Sequence, residues 1–318
     1  MVKDKTGRLF QEALESNSLE SLRCIPKSDL HNHVGRGGSI GYIGKWAGVN
    51  IKPAAEPFVS LGEMQKWFVE NIKAVFPDGN GYLKRVEAAF AQAQYDKIAV
   101  LAMSYGLEEI DYIGTMADFM KVMDQMHHTF APDVSFYPEL SIGRGSDPDK
   151  VLAKLDEILS YDWFRSLDLC GDEFAAPPER YTKVYRRARD YGLRLRAHVG
   201  EFGSAGDVKR TVEVLELDEV HHGIRAAEAP QVMNWLADHH IQLNICPTSN
   251  VMLMNSPGYH NYQLRALYDH GIKVTINTDD MLIFNSSVSE EFLKLYQSGL
   301  MTIEELEIVR QNGLNTYL

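Results

Sequence analysis

Cysteine is scarce in this chain: Cys24, Cys170 and Cys246 are an odd number in 318 residues, and no two of them form a CxxC pair. A disulfide framework is thereby excluded, and the expectation is three reduced thiols, each packed as a small buried apolar residue. Long hydrophobic runs are missing too. No stretch approaches the roughly 20 apolar residues that a membrane span needs, and residues 1–10 are polar without the apolar centre of a signal segment. No membrane contact and a cytoplasmic setting are therefore expected. Clusters of positive charge are also absent, with 44 acidic residues against 32 basic ones and a formal charge of −12. General attraction to a phosphate backbone is excluded, and with it long nucleic acid as a partner. Finally, no Pro/Gly/Ser-rich linker, low-complexity tract or internal sequence repeat divides the chain. One domain spanning residues 1–318 is the simplest organisation, since α/β barrels of roughly 250 residues or more fold as a unit.

What the sequence does contain is a recurring order of element types. Short β-branched or apolar runs fall at 27–33 (KSDLHNH), 97–104, 134–140, 166–171, 193–199, 219–222, 241–246 and 272–278. Helix-like segments separate them. Asp147 before Pro148 opens one, and Gly192 and Gly271 close two others. Ser60 with Glu63 and Thr302 with Glu305 have capping-box spacing. Eight strand-then-helix units require parallel pairing through crossover connections, which predicts a (β/α)8 TIM barrel, with an open doubly wound sheet as the structural alternative. The interval between the first two runs exceeds one helix, so residues 62–76 and 82–95 are expected as extra helices over the rim.

Several polar residues fall at the ends of these runs, where a barrel gathers its catalytic groups. His31 and His33 alternate on one strand, so both face the interior and are placed to bind one metal ion or to form a structural pair. His198 ends the fifth run, with Glu201 just beyond it. In His221-His222 alternation points only one ring inward, and His222, nearer the rim, is the choice; His221 is expected at the surface or against a helix. Asp279-Asp280 follow the eighth run, either as a helix N-cap or as the carboxylate that completes a three-histidine metal site. His127, His128, His239, His240, His260 and His270 have no strand-end partner and receive no role.

The ordered set SDLHNH, CGDE, AHVGEFGSAG, VHHG, NICPTSN and NTDDMLIF resembles the adenosine deaminase family of metal-dependent hydrolases from about Asp29 to the C-terminus. The resemblance implies one zinc ion per chain held by His31, His33, His198 and Asp279, with a water whose pKa is lowered towards neutrality. It implies Glu201 as the acid that protonates the ring nitrogen, and His222 as the group that orients and helps deprotonate the water. It also implies Asp280 on the attacking oxygen and the purine, and the Gly171 amide on a ring nitrogen. The expected partner is a small purine-like amine that loses ammonia, and no organic cofactor is needed.

The chain departs from the family after His33. Adenosine-specific relatives continue Leu-Asp-Gly, the aspartate reaching the sugar 5'-hydroxyl, whereas this sequence reads Val34-Gly35-Arg36-Gly37-Gly38-Ser39. The substrate is therefore expected to be an adenine-type base, nucleoside or modified derivative. Arg36 or the glycine-rich backbone is placed to meet a phosphate or carboxylate on it, unless Arg36 is merely a solvated loop residue. The competing readings are a zinc-dependent barrel hydrolase of an amide, lactone or phosphoester, and a catalytically silent purine-binding barrel.

Overall fold

The computed structural model describes residues 5–75 and 79–317. Its eight strands are β1 (Lys27–His33), β2 (Ile98–Gly106), β3 (Ser135–Gly143), β4 (Ser166–Cys170), β5 (Arg194–Val199), β6 (Glu219–His222), β7 (Gln242–Ile245) and β8 (Val274–Ile276). They pair in parallel and in sequence order. The ring closes just past β8, where Asp279 N–H donates to the His31 carbonyl at 2.9 Å and Asn32 forms a parallel bridge with Asp279. That closure makes the sheet a barrel and rules out the open doubly wound alternative.

Strand alternation sorts the side chains in an instructive way. Leu140, Leu167, Leu169, Leu195, Ala197, Val220, Leu243 and Ile245 are buried in the apolar layer beneath the helices. The intervening positions Glu139, Ser166, Arg196, Glu219, Gln242, Asn244 and Thr275 are buried and polar. Burying a guanidinium costs several kcal/mol unless it is paired. Arg196 is paired on both sides, at 2.8 Å from Glu139 and 2.9 Å from Glu219. Burial alone would raise the carboxyls of Glu139 and Glu219, but Arg196 outweighs it and holds both at about 2. Ser166 donates to Glu139 at 2.7 Å and Asn244 to Glu219 at 2.8 Å, so the barrel floor is a connected polar network in which Arg196 Nε is left without a partner.

Local signals act as expected at the element ends. Asp147 caps the helix Pro148–Leu159 by accepting from Asp149 N–H at 3.1 Å, and Gly192 and Gly271 take φ values of +78° and +77° where helices stop. Thr302 and Glu305 form a reciprocal capping box, while Ser60 accepts from Glu63 N–H. After β1 come the helices Ile40–Ala47, Leu61–Phe68, its π-helical continuation Val69–Lys73, and Gly79–Tyr95; Phe76, at the end of the expected 62–76 segment, lies outside the described residues. Phe58, Met64, Phe68 and Ile72 form a second apolar cluster with Leu282 and Ile283. The extra helices are thus pinned against the short helix Met281–Phe284 that follows Asp279. Among the cysteines, Cys246 is buried but Cys24 is exposed, which corrects the expectation of three buried thiols. No helix among the described residues is long and apolar enough to cross a membrane.

Candidate metal centre

The barrel seam brings the strand-end histidines to one point. His31 Nε2 lies 3.0 Å from His198 Nε2 and 3.5 Å from Asp279 Oδ1, and His33 Nε2 lies 3.3 Å from the same Asp279 oxygen. Four atoms bound at about 2.0–2.1 Å to one tetrahedral ion would stand about 3.3 Å apart. The donors of His31, His198, His222 and Asp279 group within 4.8 Å of one another, and His33 shares Asp279 with Asp280. His31, His198 and Asp279 therefore meet, with His222 as the fourth member of their group, while His33 is tied to it through Asp279.

Tautomers give an independent test of fit. His198 Nδ1 is 3.0 Å from the Asp168 carboxylate, so that nitrogen carries the proton and Nε2 carries a lone pair. His31 Nδ1 faces the Asn244 carbonyl at 3.3 Å, which leaves its Nε2 bare as well. Two lone pairs 3.0 Å apart repel unless a cation lies between them. Burial, with the neighbouring His221 and His198, holds the His31 pKa well below the usual histidine value, so a proton there is disfavoured. A metal ion matches the arrangement.

Two residues reach this point only through unusual backbone. His222 has φ +66° and Asp279 φ +61°, the left-handed region that non-glycine residues seldom enter. At His222 the turn breaks strand alternation, so both members of the pair point inward. His221, expected at the surface or against a helix, is instead fully buried, 3.2 Å from Glu139 and with its ring 4.0 Å from that of His31. Asp279 does not cap a helix; the helix Met281–Phe284 begins after Asp280 and has no side-chain cap.

A cavity of about 250 Å³ opens in front of these groups, and Glu201, His222, Asp280, Gly171 and Arg36 all line it. Burial, reinforced by Asp279, Glu173 and Asp280, pushes the Glu201 carboxyl well above its ordinary range, which favours its protonated form. Burial drops His222 to about 3, Asp279 only partly opposing it. Its Nδ1 accepts from the Asn250 amide at 3.1 Å, which Tyr262 orients by donating to Asn250 Oδ1 at 2.6 Å. The neutral ring consequently carries its proton on Nε2, 3.7 Å from Glu201. Asp280 Oδ1 is buried without a donor. Gly171 turns the chain at φ +92° on the cavity wall.

Arg36 is partly exposed and held in place: it donates to Asp280 at 2.8 Å and to Gln65 at 2.8 Å and lies over the Phe68 ring. The neighbouring glycines serve packing. A Cβ on Gly37 would sit 2.0 Å from Asn32 Oδ1, and one on Gly38 would sit 2.6 Å from Ala88 Cβ.

Residues that sequence reading passed over support the site from behind. Glu173 accepts N–H donors from Gly200, Glu201 and Phe202 at 2.8, 2.8 and 2.7 Å, clamping the turn that carries Glu201. Ser249 donates to Asp279 Oδ2 at 2.6 Å. Asp168, an acid inside the apolar run SLDLC, orients His198. The signals were present in the CGDE and CPTSN motifs and in a charge placed mid-strand, but which partner each would find depends on neighbouring strands.

A family model described as Adenosine deaminase matches residues 123–317. The adenosine deaminase of Erwinia tasmaniensis is 28% identical over 272 residues, covering 84% of this chain and 80% of that protein. The adenine deaminase of Rhodopseudomonas palustris is 26% identical over 315 residues, covering 93% and 90%. A crystal structure of an amidohydrolase from Burkholderia ambifaria, with bound zinc, superposes with a TM-score of 0.75 at 21% identity, covering 94% of this chain and 86% of that one.

Proposed function

The chain belongs to the adenosine deaminase family, and on that premise we propose that it hydrolyses the exocyclic amine of an adenine-type base, nucleoside or modified derivative with one zinc ion in the site. The observation that carries the metal is the approach of two imidazole Nε2 atoms to 3.0 Å, each ring with its Nδ1 turned to an oxygen acceptor. His31, His33, His198 and Asp279 would hold the ion. A divalent cation bound there supplies Lewis acidity that brings the pKa of a water towards neutrality.

The remaining chemistry belongs to the chain's own side chains. Glu201, protonated by its burial, donates to the ring nitrogen beside the amine-bearing carbon and makes that carbon electrophilic. His222 presents its Nε2 proton to the attacking oxygen and orients it. Asp280, with Oδ1 free of donors and Oδ2 fixed by Arg36, is the acceptor for a proton leaving the water. Gly171 leaves room on the wall for the ring. Water adds across the C=N bond, the amine takes up a proton, and ammonia departs as the carbonyl forms. Cavity and charge suit a small purine-like substrate, and a cytoplasmic setting, where the free thiols stay reduced, is part of the same proposal.

Ammonia release from a panel of adenine, adenosine, N6-substituted forms and nucleotides, with metal content measured on the same protein, tests this. Glu201→Gln should keep the metal and lose most turnover, whereas His198→Ala should lose both. Full activity with retained zinc in both variants would refute the assignment.

A further inference from the structure

The histidines at the mouth of the barrel differ in what stands behind the ring. His198 Nδ1 faces the Asp168 carboxylate at 3.0 Å and His31 Nδ1 faces the Asn244 carbonyl at 3.3 Å, so both meet acceptors. His222 Nδ1 faces the Asn250 amide nitrogen at 3.1 Å, which is a donor. An imidazole with an acceptor behind Nδ1 turns a bare Nε2 to the front, and one with a donor behind it turns an N–H there. His222 is nevertheless placed like a ligand. One of its ring nitrogens falls in a single group with the donor atoms of His31, His198 and Asp279, and its ring centroid lies 4.7 Å from that of His31.

The surroundings fix which way the Asn250 amide faces. Asn250 is fully buried, and the Tyr262 hydroxyl donates to its Oδ1 at 2.6 Å. Turned over, the amide would offer its nitrogen to Tyr262 and its oxygen to His222. The buried Tyr262 hydroxyl would then have no acceptor among the described residues. A bare His222 Nε2 would also face carboxylate oxygens of Glu201 and Asp279 at 3.7 and 3.9 Å. The arrangement present avoids both losses.

We propose that Asn250 is a positioning residue that keeps His222 off the metal. By donating to Nδ1 it holds the Nε2–H tautomer, so the position that a catalytic zinc site leaves open stays open, and His222 faces it as a donor. The carboxylate behind His198 and the amide behind His222 therefore sort ligand from non-ligand. The inference rests on the zinc reading and not on the identity of the substrate.

Asn250→Asp reverses the contact without changing the size of the side chain. Its carboxylate would accept from Nδ1–H and still receive the Tyr262 hydroxyl, leaving Nε2 bare towards the metal. Proton–nitrogen correlation spectra of the zinc-free proteins, with histidine labelled at both ring nitrogens, read the tautomer directly. Nε2–H is expected in the wild type and Nδ1–H in Asn250→Asp. In the zinc-loaded proteins, X-ray absorption should count three imidazoles in the wild type and four in the variant. Chelator competition should show zinc affinity raised roughly 10- to 100-fold while ammonia release falls. Tyr262→Phe, which frees the amide to turn, should give both tautomers and a smaller rise. An Nδ1–H tautomer in the wild type, three imidazoles in both proteins, or a zinc affinity that falls together with Tm in Asn250→Asp overturns the proposal. The tautomer and the imidazole count need no turnover, so they uphold or overturn it even if no amine is released.

Discussion

Replacing Glu173 by glutamine removes a carboxylate that touches no substrate yet holds the acid in place. Its oxygens accept from three consecutive N–H groups, Gly200, Glu201 and Phe202, at 2.8, 2.8 and 2.7 Å. Hydrogen bonds to a charged acceptor are worth about 1.5–3 kcal/mol each. An amide keeps one oxygen and turns an NH2 towards a donor, so at least one of these bonds is lost and a repulsive contact replaces it. The turn has little freedom to adapt, because Gly200 stands at φ +69° and a Cβ on Gly203 would be 2.7 Å from Glu173 Oε2. A shift of about 1 Å in a proton donor costs roughly 100-fold in rate. Glu173→Gln should therefore lose roughly 100-fold in kcat with KM little changed and metal content intact. Steady-state ammonia release and elemental analysis on one preparation provide the check. An unchanged kcat would refute the clamp, and loss of metal alongside activity would show that Glu173 acts through the ligands instead.

Other expectations follow from the same geometry. Asp168→Asn weakens the carboxylate that fixes the His198 tautomer, so metal affinity should fall roughly 10- to 100-fold in chelator competition; unaltered affinity would contradict the role. Glu139 and Glu219 are held at about 2, below the unfolded value of roughly 4.3, so their stabilisation is complete above that value and is lost as pH falls towards 2. The wild-type Tm should drop between about pH 4.3 and 2, and Glu219→Gln should show a shallower fall; equal slopes would count against the network. Gly37→Ala places a methyl 2.0 Å from Asn32 Oδ1, whose amide donates to Asp29 and Thr278. A loss of about 1–3 kcal/mol is expected from such overpacking, and an unchanged denaturant midpoint would show that Asn32 simply moves aside.

Much of the molecule was legible from the chain. The run at 219–222 and the strand β6 coincide, as do 27–33 and β1, because a two-residue period and bounding turn residues are local properties. The eighth run, read as 272–278, yields only Val274–Ile276, since the Asn277 side chain leaves the ladder to accept from Leu30 N–H at 2.7 Å. The six motifs likewise carried the family, and His31, His198 and Asp279 group as their strand-end positions required, with His33 drawn in through Asp279.

Sequence alone determined the element order, the helix stops and the residue types at the rim, because these depend on neighbours a few positions away. Tertiary structure decided which face each polar group takes and whom it meets. His221 turned inward because a left-handed His222 follows it, and Arg36 closed on Asp280 across 244 positions of chain. Each outcome depends on barrel closure, which brings distant segments into hydrogen-bonding range and fixes backbone angles that local preference disfavours.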